Sequence, residues 1–236
     1  MISISNLNIS YGKNQVIKSL NLEMKSGQIH GIVGLNGTGK TTLLNTIFGL
    51  KKADNGDINF DGSQLTKQQI TYLLTENFFY TGISGREYLS LFKNLSFETD
   101  RWNELFLLPL DKLIDEYSSG MKKKLALLGI LKQDKPILIL DEPFNSLDIE
   151  SSRIIRSILL KIREKGKTII LTSHILETLT NLCDYIHVLE SGKIGSTREK
   201  VDFKEFEQEL FQAIEHKNEE LISDLTGSKS SESFQD

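Results

Sequence analysis

The sequence predicts an α/β fold with a mostly parallel core sheet, and three observations carry that expectation. Several short segments are apolar throughout, as strands covered on both faces are. Helical segments separate them, which is how consecutive parallel strands are joined. One strand runs into a glycine-rich turn, Gly34 to Thr41, that opens a helix.

Taken in order, Ile2-Ser3-Ile4-Ser5-Asn6-Leu7-Asn8-Ile9 and Leu20-Asn21-Leu22-Glu23-Met24 alternate loosely, as half-buried strands do. Ser26-Gly27 turns the chain into the short buried run Gln28 to Val33. Lys40 to Phe48 contains no helix breaker and is closed by Gly49. Strands are predicted at 56–62, between turn residues, and at 70–74. Residues from about 78 to 128 change character. Tyr88, Leu89, Leu91 and Phe92, then Leu105, Phe106 and Leu108, follow helical spacing up to Pro109, which predicts a small helical insertion. Strands return at 137–140, 168–171 and 185–189. Between the first two, Ile154, Ile155, Ile158, Leu159 and Ile162 mark one face of a helix over 149–164. Phe203, Phe206, Leu210 and Ile214 predict an amphipathic helical segment over 201–226, followed by a polar, disordered tail at 227–236.

A chain of 236 residues has room for one domain with a subdomain and a tail. The lone cysteine, Cys183, excludes an internal disulfide framework and reads as a small buried apolar side chain. No apolar run approaches the roughly 20 residues of a membrane span. Met1 to Ser5 lacks the basic start and apolar core of a signal peptide. A cytoplasmic protein is expected, reaching any membrane through a partner. Of the net charge of −4, residues 201–236 carry ten acids against Lys204, Lys217 and Lys229, leaving residues 1–200 slightly positive. That lacks the clustered basic footprint of nucleic-acid binding, so no nucleic-acid partner is expected.

Gly34-Leu35-Asn36-Gly37-Thr38-Gly39-Lys40-Thr41 has the P-loop spacing. Its glycines let backbone N–H groups close on an anion where a Cβ would clash, and the helix that follows adds its positive dipole end. Asn36, Gly37, Thr38, Gly39, Lys40, Thr41 and Thr42 are therefore expected to hold ATP. Lys40 reaches the β- and γ-phosphates, and the Thr41 hydroxyl ligates Mg²⁺. The apolar run Ile137 to Leu140 ends in Asp141 and Glu142. Asp141 would hold the metal, directly or through water. Glu142, one residue further out, is placed to orient or deprotonate the attacking water.

Between these motifs stands Tyr117-Ser118-Ser119-Gly120-Met121-Lys122-Lys123-Lys124-Leu125. This resembles the signature motif of the ABC ATPase family, usually written Leu-Ser-Gly-Gly-Gln. Over residues 1 to about 195 the order of parts is similar to that family's: P-loop, helical insertion, signature, acidic strand, then a histidine after the next strand. The resemblance implies the P-loop NTPase fold of ABC ATPases, with an N-terminal antiparallel β subdomain, over residues 1–200. It implies that Tyr11 stacks on adenine, and that Ser118, Ser119 and Gly120 contact the γ-phosphate held by an opposing subunit. Asn145 to Asp148 would cross that dimer interface, and His174 would join Glu142 and Lys40 as the catalytic group contacting γ-phosphate and water. Two subunits, identical or different, would then assemble head to tail. A separate transmembrane permease would hold them on the inner face of the cell membrane.

This chain departs from the family pattern in three places. Thr75 stands where a metal- and water-sensing glutamine is usual; its shorter side chain could still ligate a metal-bound water. Ser119 replaces glycine, and Met121, followed by three lysines, replaces glutamine. The last departure is similar to ATPases that export drugs, peptides or polysaccharides, as is Ile83 to Leu89. Phe78-Phe79-Tyr80 would lie in the groove that receives a permease helix. The same core motifs also fit a soluble ABC ATPase of a cytoplasmic assembly complex. The change at Thr75 fits a binding-only regulatory subunit.

Overall fold

The computed structural model of the chain describes residues 1–209. The first half runs β1 (Ile2–Tyr11), β2 (Asn14–Met24), β3 (Ile29–Val33), α1 (Lys40–Phe48), β4 (Asn55–Phe60), β5 (Ser63–Gln64) and β6 (Ile70–Leu73). Then come α2 (Gly85–Ser90), α3 (Thr99–Asn103), α4 (Ser119–Lys132), β7 (Ile137–Leu140) and α5 (Ile149–Glu164). The chain continues with β8 (Thr168–Thr172), α6 (Leu176–Leu182), β9 (Tyr185–Glu190) and β10 (Lys193–Glu199). A helix follows at 203–209, burying Phe203 and Phe206. The rest of the segment expected at 201–226, and the tail at 227–236, lie outside the described residues.

Two sheets result. The antiparallel sheet has the order β2-β1-β4-β5, and the larger one β10-β9-β3-β8-β7-β6. In the larger sheet β6, β7, β8, β3 and β9 pair in parallel, and only the edge strand β10 runs the other way. Because alternate side chains point to opposite faces, each central strand feeds two cores. Leu138 and Leu140 of β7 join the cluster under α4, α5 and α6. Ile137 and Ile139 join the one beneath α1 and the antiparallel sheet. Burying each such side chain is worth about 1.5–3 kcal/mol, which is why these strands are apolar from end to end.

The strand ends position the site. Parallel pairing aligns Leu140 of β7 with Leu73 of β6 and Leu171 of β8, so the loops after all three emerge together. β3 lies on the other side of β8 and sends its loop, Gly34 to Gly39, to the same edge. Helix α5 starts on Asp148, whose carboxylate accepts from the Ser151 backbone N–H at 2.7 Å, and its last turn carries Lys161 and Arg163. As expected, Gly49 closes α1 in the left-handed conformation. Cys183 is fully buried, its Sγ 2.9 Å from where a Cβ on Gly31 would lie.

A hydrogen-bonded chain crosses the sheet beside β3. His30 Nε2 lies 2.9 Å from the Lys25 carbonyl, which only accepts, so Nε2 carries the proton. His30 Nδ1 then accepts from His187 Nε2 at 3.1 Å, and His187 Nδ1 accepts from the Thr197 hydroxyl at 2.9 Å. Both rings are buried and neutral in this arrangement. Burial lowers His30 from 6.5 to about 4 and His187 to about 3.

The insertion departs from the sequence reading. Its helices α2 and α3 are short, and the spacing of Leu105, Phe106 and Leu108 does not form a helix. The Asn103 side chain instead brackets the loop. Its Nδ2 donates to the Leu108 carbonyl at 2.9 Å, and its Oδ1 accepts from the Leu108 N–H at 3.0 Å. Leu107 between them takes a left-handed φ of 51°. A side chain that offers the backbone its hydrogen bonds competes with the helix ladder, and here it wins.

Candidate nucleotide site

A cleft of about 450 Å³ opens at the edge where these loops meet. Asn36, Gly37, Gly39, Lys40, Thr41 and Thr42 form one wall. Thr75, Asp141, Glu142 and His174 form the other, and Val16 of β2 flanks them. The sequence reading thus brings together the P-loop, the acidic strand end, the loop after β6 and the histidine after β8.

Glycine is required in the loop by contact as well as conformation. A Cβ on Gly34 would lie 2.4 Å from the Leu189 carbonyl oxygen of β9 and 2.8 Å from Thr38 Oγ1. Gly39, at φ 105°, begins α1 without a side-chain cap, so the first N–H groups of that helix stay free for an anion. Lys40 is nearly buried and its ammonium donates to the Gly34 and Leu35 carbonyls at 2.6 and 3.2 Å. Burial lowers that ammonium's pKa, while Glu142 and Asp141 pull it back up. Thr38 is outside the cleft lining; its hydroxyl donates to the Leu35 carbonyl at 2.8 Å and braces the turn.

Asp141 is buried at the end of β7. Its Oδ1 accepts from the Thr172 hydroxyl at 2.5 Å and its Oδ2 from the Thr41 hydroxyl at 3.2 Å. Thr172 Oγ1 also accepts from the Glu142 N–H at 3.1 Å. Glu142 sits at φ 51°, a left-handed conformation that costs a non-glycine residue about 1–2 kcal/mol. The result is a carboxylate turned into the cleft. Its Oε2 accepts from the His174 N–H at 3.3 Å. Its Oε1 lies 3.1 Å from His174 Nε2 without hydrogen-bond alignment, and so has no donor although it is buried. Burial pushes the Glu142 carboxyl above the usual carboxylate range, against the opposing influence of His174 and Lys40.

The oxygen donors suit Mg²⁺. Thr41 Oγ1 and Asp141 Oδ2 are already adjacent, and Thr75 lines the same cleft. Mg²⁺ takes one or two protein oxygens and fills its octahedron with phosphate and water. Accordingly, no group of three or more His, Cys, Asp and Glu capable of holding a metal occurs among the described residues.

Other predicted residues lie elsewhere. Tyr11 is half exposed at the end of β1 and outside the cleft lining, with Lys51 Nζ 4.5 Å from its ring centroid. Ser118, Ser119 and Gly120 begin α4, also outside this cleft. Ser118 caps the helix, its Oγ accepting from the Met121 N–H at 3.2 Å. The sequence reading missed Thr172 and Lys123. Thr172 ends its strand with a hydroxyl, a signal that counts only once β8 is known to pair beside β7. Lys123 is buried, and its Nζ donates to the Leu74 and Thr75 carbonyls at 3.3 and 3.1 Å. It gave no signal among three consecutive lysines.

A P-loop between a buried strand and a helix, facing an Asp-Glu strand end, defines a nucleotide-hydrolysing P-loop protein. The family model described as ABC transporter matches residues 17–145, and the chain belongs to that family. It is an ATP-binding ATPase of the ABC transporter type. The chain is 30% identical to the ABC transporter ATP-binding protein YtrB of Bacillus subtilis, over 87% of this chain and 74% of the relative. It is likewise 30% identical to the lantibiotic transport ATP-binding protein SrtF of Streptococcus pyogenes, covering 89% and 96%. A solved ATP-binding subunit of an ABC transporter superposes with a TM-score of 0.80 at 25% identity, covering 86% of this chain and 91% of that one. A dimeric ATP-binding cassette in a post-hydrolysis state, bound to ADP and Pi, shares the fold with a TM-score of 0.74 at 20% identity, covering 85% and 99%. Among the described residues no helix is long and apolar enough to cross a membrane.

Proposed function

We propose that the chain powers export through a separate transmembrane permease, binding and hydrolysing ATP between two head-to-tail subunits. The observation that carries the catalytic half is Glu142 Oε1: a buried carboxylate oxygen in the cleft wall with no hydrogen-bond donor of its own. Such an oxygen is available to accept a proton from water. Free N–H groups at the start of α1 and the Lys40 ammonium would hold the triphosphate. Thr41 and Asp141 would hold Mg²⁺, with Thr75 reaching a metal-bound water; the ion supplies charge neutralisation across the phosphate oxygens. Glu142 Oε1 would orient the attacking water and take its proton as the bond to the γ-phosphorus forms and the bond to ADP breaks. Its raised pKa suits that task. His174 would steady Glu142 and contact the departing phosphate.

The placement of Ser118 to Gly120 supports the two-subunit arrangement. They stand at a capped helix start outside their own cleft, where they could close on nucleotide held by another subunit. Whether that subunit is a second copy or a different ABC ATPase, the geometry needed is the same. Tyr11 would stack on adenine from the rim. Phe78 and Tyr80, 82% and 63% exposed, are apolar surface suited to a permease helix. Met121 with its lysines, and the similarity to a lantibiotic transport protein, favour export of a peptide-like or drug-like substrate. The chain would then sit on the inner face of the membrane through that permease.

Glu142→Gln tests the reading. Turnover is expected to fall at least about 100-fold, the usual worth of a general base, while ATP binding persists. Steady-state phosphate release beside an ATP-binding titration decides it, and a variant that keeps wild-type turnover would remove Glu142 from the mechanism.

A further inference from the structure

We infer that Lys123 is a positioning residue that couples helix α4 to the loop after β6, where Thr75 is too short to do so. The inference rests on the ABC ATPase reading of the cleft. Lys123 is 5% exposed and lies one turn beyond Ser119 on the helix that presents the signature residues. A buried ammonium is costly unless its donors are satisfied. Here two of its three N–H donors go to main chain, the Leu74 and Thr75 carbonyls at 3.3 and 3.1 Å. The attachment is therefore to the path of the loop, whichever side chain occupies position 75.

Two further contacts make α4 a hub. Lys124 Nζ lies 3.5 Å from Asp148 Oδ2, in the loop after the acidic strand. A Cβ on Gly120 would meet the Ser146 carbonyl oxygen at 2.9 Å, so the helix packs directly on that loop's backbone. The two loops start from neighbouring strands joined by the Asp141 N–H to the Leu73 carbonyl at 2.8 Å. Asp141 and Glu142 open the second of these loops. A displacement of α4 driven from outside thus pulls on the main chain at Thr75 through Lys123 and on the loop beyond Glu142 through Lys124. The first connection reaches a residue of the cleft wall, and that makes Lys123 more than a core lysine.

The test uses the full chain with Lys123→Met, which keeps length and removes the donors, and Lys123→Arg, which keeps them. Lys123→Met is expected to bind ATP within about threefold of wild type while kcat falls at least about tenfold, and Lys123→Arg to recover most of the loss. In a Glu142→Gln background, Lys123→Met is expected to reduce the fraction of ATP-induced dimer on a sizing column. Unchanged kcat and dimer fraction would overturn the inference. So would losses of ATP binding, kcat and melting temperature in proportion, since that is what a merely structural lysine gives. If Glu142→Gln alone still hydrolyses ATP, the failure belongs to the reading of the site and not to Lys123.

Discussion

The P-loop wall and the helical insertion differ in what holds them in shape. From Gly34 to Thr41 the loop is held at its ends: a Cβ on Gly34 would run into the Leu189 carbonyl of β9, Gly39 faces Val16 and Ile17 of β2, and Lys40 is bonded back to the carbonyls of 34 and 35. From 91 to 118 few backbone groups lie in regular structure, and side chains such as Asn103 supply the missing bonds. The first region is set at Gly34 by a backbone contact that leaves no room for a side chain, and at Gly37 and Gly39 by positive φ. The second is set by bonds that are individually modest and separately removable. A rigid phosphate cradle beside a more loosely determined insertion is what a machine needs when one part must bind and the other must move.

The sharpest way to break this comparison is Gly34→Val. A side chain there meets the Leu189 carbonyl first, before the Thr38 hydroxyl, so the β9 backbone or the loop must shift. ATP affinity is expected to fall by about 100-fold or more, with overpacking destabilisation of about 1–3 kcal/mol. Isothermal titration with ATP and a thermal melt measure both, and near-normal binding would show that the cradle is more plastic than its contacts indicate.

The next effect is on stability, through the histidines beside β3. Both folded values lie below the ordinary 6.5, at about 4 for His30 and about 3 for His187. The neutral rings therefore contribute stability that is present above 6.5 and lost as pH falls toward those folded values. The loss between pH 7 and pH 4 is on the order of 3 kcal/mol for each ring. Glu142, with its carboxyl raised by burial, works in the opposite sense: its contribution is present at low pH and lost as pH rises through its folded value. Urea unfolding across this range should show the net acid loss. A His187→Gln variant should flatten it by about half, and an unaltered slope would place the acid sensitivity elsewhere.

The same contrast explains what could be read from the sequence. Strands buried on both faces carry uninterrupted apolar runs, so β3, β7, β8 and β9 stood out, as did the Gly-Lys-Thr and Asp-Glu ends that meet in the cleft. Edge strand β10 did not, because its alternately exposed Lys193 to Glu199 has no apolar face to announce it. Helix α6 was missed for its length, only Leu176 to Leu182. Thr172 became a site residue only through register, since pairing with β7 brings its hydroxyl to Asp141. In the insertion the helical spacing of Leu105, Phe106 and Leu108 was real but misleading. Phe106 and Leu108 reach the core from a loop, not from a helix.

That loop gives the smallest and most discriminating test. If Asn103 is what keeps 104–108 out of a helix, Asn103→Ala removes both hydrogen bonds to Leu108, leaving its carbonyl with the Leu110 N–H at 2.9 Å and its N–H without the side-chain acceptor. With each bond worth about 1 kcal/mol net, the expected loss is about 1–2 kcal/mol in urea unfolding. ATP binding should be unchanged, because no residue of this loop lines the nucleotide cleft. A loss well below that would mean that burial of Phe106 and Leu108 fixes the loop and that Asn103 only follows it. A fall in ATP affinity would mean that the insertion and the cradle are not separately determined, and the contrast between the two regions would fail at its weakest contact.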